Sequence, residues 1–263
     1  MQTNMNASEE LFDWRVVAAS VRGKSHEKVG QLCQDAHHWE KLPEGVLVAT
    51  VADGAGSATL GKVGAIIAAQ TAVETIRAKA PTPCSPDDEE GWQLLLSNAL
   101  VAAKTAVEAE AVACKMTARD LATTLIIVIA TPNLIAAAQV GDGVAVAQDG
   151  EGNIIALTAP QRGEYINETT FLVSPNALDK AQMNLWRKKA ANIALLSDGL
   201  QLLALEINEG TPHVPFFSPL FNFMANVTNE TEAKEQLVEF LRSPRIAERT
   251  DDDLTLLLAT LVS

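Results

Sequence analysis

"VATVADGAGSA", residues 48–58, decides how the chain is read. A run of strand-forming apolar residues ends on an aspartate, Asp53, and a glycine follows at once. Charged groups are seldom buried without a partner, so a carboxylate closing a buried strand has met a cation or sits on a rim. The pattern recurs outward from this stretch. "IALLSDGL" runs into Asp198-Gly199 and "LIAAAQVGDG" into Asp142-Gly143, while "RTDDDLTLLLATLV" places Asp251, Asp252 and Asp253 ahead of a long apolar strand. Any one Asp-Gly pair is an ordinary turn, and Asp142-Gly143 between two expected strands fits that explanation best. Four such ends, with Asp35 in "QLCQDAHHW", are harder to assign to turns alone. Hard divalent cations take oxygen ligands. Carboxylates at the ends of neighbouring strands can hold two of them ~3.5–4 Å apart, and glycine after aspartate lets backbone pass close to the ion.

Around these ends, strands are expected near 15–21, 46–52, 123–130, 134–140, 144–148, 154–157, 193–197 and 254–261. Two helices fall between the second and third. In the first, Val63, Ile66, Ile67, Val73 and Ile76 share one side at ~100° per residue. In the second, Trp92, Leu95, Leu96, Ala99, Ala103 and Val107 form a narrower stripe. The linker "KAPTPCSPDDEEG" (79–91) reads as an exposed crossing. A late helix over 230–241 turns Ala233, Leu237, Phe240 and Leu241 to one side, whereas "TPHVPFFSPLFNF" (211–223) is too rich in proline to assign. Strands occur in runs with helices grouped between them. This predicts an α+β fold, two antiparallel sheets stacked as a sandwich and flanked by helices in α/β/β/α layers. The expected organisation is a short extension, 1–14, and one domain over 15–263.

Composition narrows the function. At 263 residues, 48% hydrophobic and 20% charged, the chain can bury a substantial core. A formal charge of −13 argues against nucleic acid, which demands a basic stripe, and favours divalent cations or basic partners. Cys33, Cys84 and Cys114 have no paired spacing, so a reducing compartment is expected. The start shows no basic and apolar leader, and a cytoplasmic protein is expected. Sequons at Asn167, Asn226 and Asn229 are incidental in that setting. Residues 121–140 contain no charge, but Pro132-Asn133 and the Thr, Ile and Val content predict a hairpin and no membrane span. His37 and His38 near Cys33 lack the spacing of a structural zinc site.

In order, "CQDAH" (33–37), "VADGAGS" (51–57), "ATTL" (122–125), "VGDG" (140–143), "LLSDGL" (195–200) and "DDLTLLLA" (252–259) resemble the motif series of the metal-dependent protein phosphatases of type 2C. The resemblance spans about 20–260, and "GEYINETTFL" (163–172) is similar to a compact bacterial branch. It implies a serine/threonine phosphoprotein phosphatase with two Mn²⁺ or Mg²⁺ ions, a third ion being possible. Phosphate monoesters would be hydrolysed by a water bridging two ions, without a phosphoenzyme. Carried over, Asp35, Asp53, Gly54, Asp198 and Asp252 would hold metal, with Asp142 near the third ion and Asp35, Asp53 and Asp198 central to catalysis. Asp252 fits the register of "DLTLLL" best. The family's phosphate-gripping arginine is replaced by Gly30. Arg22, Lys24, His26 and Lys28 are the nearby substitutes, His26 in "GKSH" first among them. The implied partners are phosphoserine and phosphothreonine proteins, a serine/threonine kinase or its substrates on a separate chain. The alternatives are a weakly active or inactive module binding a phosphorylated partner and a two-metal hydrolase of nucleotides or other small phosphoesters.

Overall fold

The computed structural model describes residues 12–79, 85–161, 169–206 and 209–262. Ten strands, β1 (Asp13–Val21), β2 (Ala36–Leu42), β3 (Val46–Ala52), β4 (Leu125–Ala130), β5 (Ile135–Val140), β6 (Val144–Asp149), β7 (Ile154–Thr158), β8 (Gln182–Trp186), β9 (Ala190–Leu196) and β10 (Leu254–Val262), form two five-stranded sheets. One runs β1-β10-β9-β6-β7, the other β2-β3-β4-β5-β8, and every paired neighbour is antiparallel. The helices are α1 (Lys24–Lys28), α2 (Gly61–Lys79), α3 (Glu89–Ala113), α4 (Gln201–Ala204), α5 (Val214–Ala225), α6 (Glu230–Arg242) and α7 (Pro244–Ala247). The expected four-layer sandwich is observed.

Period-two alternation explains the layers. On β3, Leu47, Ala49 and Val51 enter the core between the sheets, while Val48 and Ala52 face α2 and α3. On β4, Ile126 and Val128 point inward and Leu125, Ile127 and Ile129 toward the same helices. On β10, Leu257 and Ala259 point inward while Leu256 and Leu258 meet α5 and α6. Strands covered on both faces need apolar residues at every position, which is why these segments read as unbroken hydrophobic runs. The charge-free stretch 121–140 is the β4–β5 hairpin, and among the described residues no helix is long and apolar enough to cross a membrane.

Four differences from expectation have physical causes. The buried face of α2 is formed by Gly61, Gly64, Ala65, Ala68, Ala69 and Ala72 with Val73 and Ile76, while Val63, Ile66 and Ile67 are only partly covered. Small side chains let the helix lie close: a Cβ at Gly64 would meet the Leu121 carbonyl oxygen at 2.0 Å. The acidic end of the linker opens α3, whose N-cap Asp88 accepts from the Gly91 N–H at 2.9 Å while Glu89 and Glu90 fill the first turn; acids suit the positive end of a helix. Residues 214–225 form α5: Pro215 occupies a first-turn position where no N–H is needed, while Pro219 lies inside the helix and removes one internal N–H, and apolar Phe217, Leu220, Phe221 and Met224 bury the helix against the sheet. Strands β2 and β8 carry polar residues on sheet edges and lack an apolar period. Cys84 and most of "GEYINETTFL" lie outside the described residues.

Candidate active site

The sandwich brings the strand ends together. Asp53 follows β3, Asp142 lies in the β5–β6 turn, Asp198 follows β9 and Asp252 precedes β10. All four line one cavity of about 470 Å³, together with Ser25, His26, Val29 and Phe171. Its wall contains four carboxylates and no lysine or arginine among the described residues. A separate cleft of about 370 Å³ between α4, α5 and α7 is walled mainly by apolar side chains and holds none of the strand-end acids, so the chemistry belongs to the acidic cavity.

The backbone around Asp53 is fixed by the "ATTL" segment. The Asp53 N–H donates to Thr124 Oγ1 at 3.0 Å, and its carbonyl accepts from Thr123 Oγ1 at 2.9 Å and from the Thr124 N–H at 2.8 Å. Gly54 is needed for close approach: a Cβ there would stand 2.3 Å from the Gly61 carbonyl carbon. Behind the "VGDG" turn, buried Gln139 donates from Nε2 to the carbonyls of Gly141 at 3.0 Å, Gly143 at 2.8 Å and Ala159 at 3.1 Å, and its Oε1 accepts from Thr158. Gly141 takes φ +114°, a conformation that L side chains rarely adopt. Thr169 Oγ1 donates to Asp142 Oδ2 at 2.6 Å, and Gln201 Nε2 donates to the Asp142 carbonyl. Asp142 is thus held from both sides.

Asp35 approaches from behind. It is 4% exposed and does not line the cavity; Ser197 Oγ donates to its Oδ2 at 2.7 Å, while Oδ1 has no partner. A polar chain continues inward, with Ser20 Oγ 2.6 Å from Thr255 Oγ1 and 2.9 Å from His37 Nδ1. Burial pushes the His37 imidazole down to about 4, so it stays neutral in this chain. Asp253, not Asp252, is the buried member of the aspartate triplet.

Electrostatics show what the cavity lacks. Burial, then the charges of Asp35 and Asp198, hold the Asp53 carboxyl well above the usual carboxylate range. Asp198 rises to about 6, burial first, with Asp142 and Asp252 adding repulsion and a hydrogen bond with Asp53 opposing it. Burial takes Asp35 to about 7 against the hydrogen bonds of Ser197 and Thr255. Among the described side chains no group of three His, Cys, Asp or Glu is preset to close around an ion. The arrangement suits Mg²⁺ or Mn²⁺, which bind through one or two carboxylates and retain waters. The unpartnered Oδ1 atoms of Asp35 and Asp198 are the matching donors. Cys33 is not a competing nucleophile, since burial raises its thiol far from ionisation.

Thr124, Gln139, Ser197 and Asp253 complete the site. Thr124 and Ser197 lie within "ATTL" and "LLSDGL" and Asp253 within the acidic triplet, but the sequence gives none of them these supporting roles; Gln139, a lone amide within an apolar strand, is a further legible signal.

Comparison with known proteins agrees with this geometry. Residues 22–242 match the family described as Protein phosphatase 2C. Over 259 residues, 94% of this chain and 98% of the relative, the sequence is 37% identical to serine/threonine-protein phosphatase 3 of Escherichia coli (strain K12). The S. agalactiae serine/threonine phosphatase superposes with TM-score 0.62 at 14% identity, covering 94% of this chain and 99% of that one. The catalytic domain of serine threonine protein phosphatase PstP, solved with 2 manganese ions, gives 0.60 at 16% identity, covering 96% and 100%. The family match spans most of the chain and the Escherichia coli relative covers 94% of it, and the chain belongs to the protein phosphatase 2C family.

Proposed function

We propose that the chain hydrolyses phosphate monoesters on serine and threonine side chains of proteins, using two divalent ions, Mn²⁺ or Mg²⁺. The observation that carries this reading is the convergence of Asp53, Asp142, Asp198 and Asp252 on one cavity without a balancing lysine or arginine among the described residues. A phosphate dianion would be repelled there unless cations intervene. Asp53, the Gly54 carbonyl, Asp198 and Asp252 would hold the ions, Asp35 would support them from the inner side, and Asp142 would serve a looser third ion. When bound, such ions activate water as a nucleophile and offset charge on the phosphoryl oxygens.

The chain's own groups do the rest. The Thr123 and Thr124 hydrogen bonds fix the main chain from which Asp53 projects, and Ser197 fixes Asp35. His26, the histidine on the cavity wall, would grip the substrate phosphate in place of the arginine that Gly30 replaces. Val29 and Phe171 bring apolar surface to the same wall, which limits water around the bound ester. Substrates are phosphoproteins, and the serine/threonine kinase that makes them would be a separate chain. The retained acids weigh against an inactive binding module, which would have no use for their mutual repulsion.

The test is hydrolysis of phosphoserine and phosphothreonine peptides beside nucleotides, with added Mn²⁺ or Mg²⁺ and with chelator. Metal-dependent turnover that prefers phosphopeptides and disappears in Asp53→Asn supports the assignment. Turnover indifferent to chelator, or a preference for nucleotides, contradicts it.

A further inference from the structure

The three aspartates ahead of β10 have separate fates. Asp252 faces the cavity. The Asp251 carbonyl accepts the Ser25 N–H at 2.8 Å, and its carboxylate lies 4.0 Å from Lys28 Nζ on the surface. Asp253 turns inward and is 2% exposed. Its Oδ1 accepts the Gly23 N–H at 2.7 Å, its Oδ2 accepts the Gln34 N–H at 2.5 Å, and the same Oδ2 stands 2.9 Å from His26 Nδ1. This last approach is a close contact and not an aligned hydrogen bond, since Nδ1 has no partner of hydrogen-bond geometry. Gly23 permits the closure: a Cβ there would meet the Asp252 carbonyl carbon at 2.2 Å. The segment carrying α1 is therefore seated directly on the strand lead that carries Asp252.

We propose that Asp253 is the positioning residue for His26, holding its ring on the cavity wall so that Nε2 is presented to the substrate phosphate. The proposal rests on the phosphatase reading above and assigns Asp253 no metal. His26 is 8% exposed, and its Nε2 lies 3.8 Å from where a Cβ on Gly56 would stand, in the turn that follows Asp53. With Asp253 opposite Nδ1, Nε2 is the ring nitrogen turned to the cavity, where a proton on it would be donated to a phosphate oxygen. The contact also restricts ring rotation, so Nε2 is in place before the substrate arrives. A contact with a buried carboxylate that already accepts two backbone N–H groups is stiffer than one with a surface side chain, because those two bonds fix the carboxylate itself. It also lets the phosphate grip and Asp252 move as one unit.

The experiment compares wild type, Asp253→Asn, His26→Ala and the double variant. It reads kcat and KM on a phosphopeptide, competitive inhibition by inorganic phosphate, and Mn²⁺ affinity by calorimetry. Loss of this contact predicts a fall in kcat/KM of roughly tenfold to a hundredfold in Asp253→Asn. Inorganic phosphate should weaken in parallel, with Mn²⁺ affinity close to wild type; the melting temperature should fall, because an amide leaves the Gly23 or the Gln34 N–H without an acceptor. The double variant should be no worse than His26→Ala, because the carboxylate acts through the ring. Multiplying effects, or wild-type phosphate inhibition in Asp253→Asn, would overturn the proposal. If Asp253→Asn fails to fold, nitrogen-15 NMR of histidine-labelled wild type decides, as only four histidines are present. A His26 Nδ1 bearing a proton supports the pairing, and a bare Nδ1 refutes it. Should wild type lack phosphopeptide turnover, the functional reading falls, while the NMR result and phosphate binding still judge the pairing.

Discussion

Replacing Asp198 with asparagine should make the metal-free protein more stable while removing its activity. In the folded chain, burial and the neighbouring acids raise the Asp198 carboxyl from 3.8 to about 6. The folded state therefore binds this proton more tightly than the unfolded state, and stability declines as pH rises. The penalty is absent below about pH 4, develops between about 4 and 6, and is complete above. At 1.36 kcal/mol per pH unit the step amounts to about 3 kcal/mol. Because Asp35 and Asp53 adjust to the same charge, about 1–3 kcal/mol is the expected gain on neutralisation. For a domain of this size that raises Tm by about 2 to 10 °C. The assay is thermal unfolding with chelator, at pH 7.5 and at pH 4, for wild type and Asp198→Asn. The gain should be present at pH 7.5 and vanish at pH 4. Excess Mn²⁺ should reverse the order, since an ion held at a hundred times its Kd adds about 2.7 kcal/mol to wild type. An Asp198→Asn protein no more stable than wild type at pH 7.5, or equally stabilised at pH 4, would refute this reasoning.

Two further substitutions probe the supports. Gln139→Leu removes the donor shared by the Gly141, Gly143 and Ala159 carbonyls and the acceptor of the Thr158 hydroxyl; Gln161 and Gln182 still serve Gly141 and Ala159, so it should cost about 1–3 kcal/mol of stability by chemical denaturation, with a larger loss of activity than of Mn²⁺ affinity if Asp142 serves only a looser ion. Ser197→Ala removes the donor to Asp35 Oδ2 and the acceptor of the Thr255 N–H; it should cost about 1–3 kcal/mol, and an unchanged denaturation midpoint would show that water replaces the hydroxyl.

The fold was legible where one physical rule dominated. β3, β5, β9 and β10 are covered on both faces, so their apolar runs flanked by acid stand out, and the acidic ends mark the side of the sandwich on which they meet. Where two demands compete, the signal is lost. β2 must present His37 to Ser20 and Trp39 to the inter-sheet core while Ala36 and Leu42 pack toward the helices and Lys41 is exposed, so no hydrophobic period survives. α2 is packed through alanine and glycine because the main chains approach closely, and the larger Ile66 and Ile67 on its flank draw attention to the wrong side. Among the acids, the register of "DLTLLL" singles out Asp252, which lines the cavity, but the sequence alone gives buried Asp253 no role and does not separate cavity-lining Asp53 from Asp35. Those distinctions depend on which backbone N–H groups fold against each carboxylate, a long-range property: Gln34 and Asp253 are 219 positions apart.

The most direct measurement is anomalous diffraction from crystals grown with saturating Mn²⁺. The account predicts two strong peaks within the cavity, in contact with Asp53, the Gly54 carbonyl, Asp198 and Asp252, and no ion on Asp253. A cavity free of anomalous density while manganese occupies other sites, or ions coordinated without Asp53 and Asp198, would contradict it.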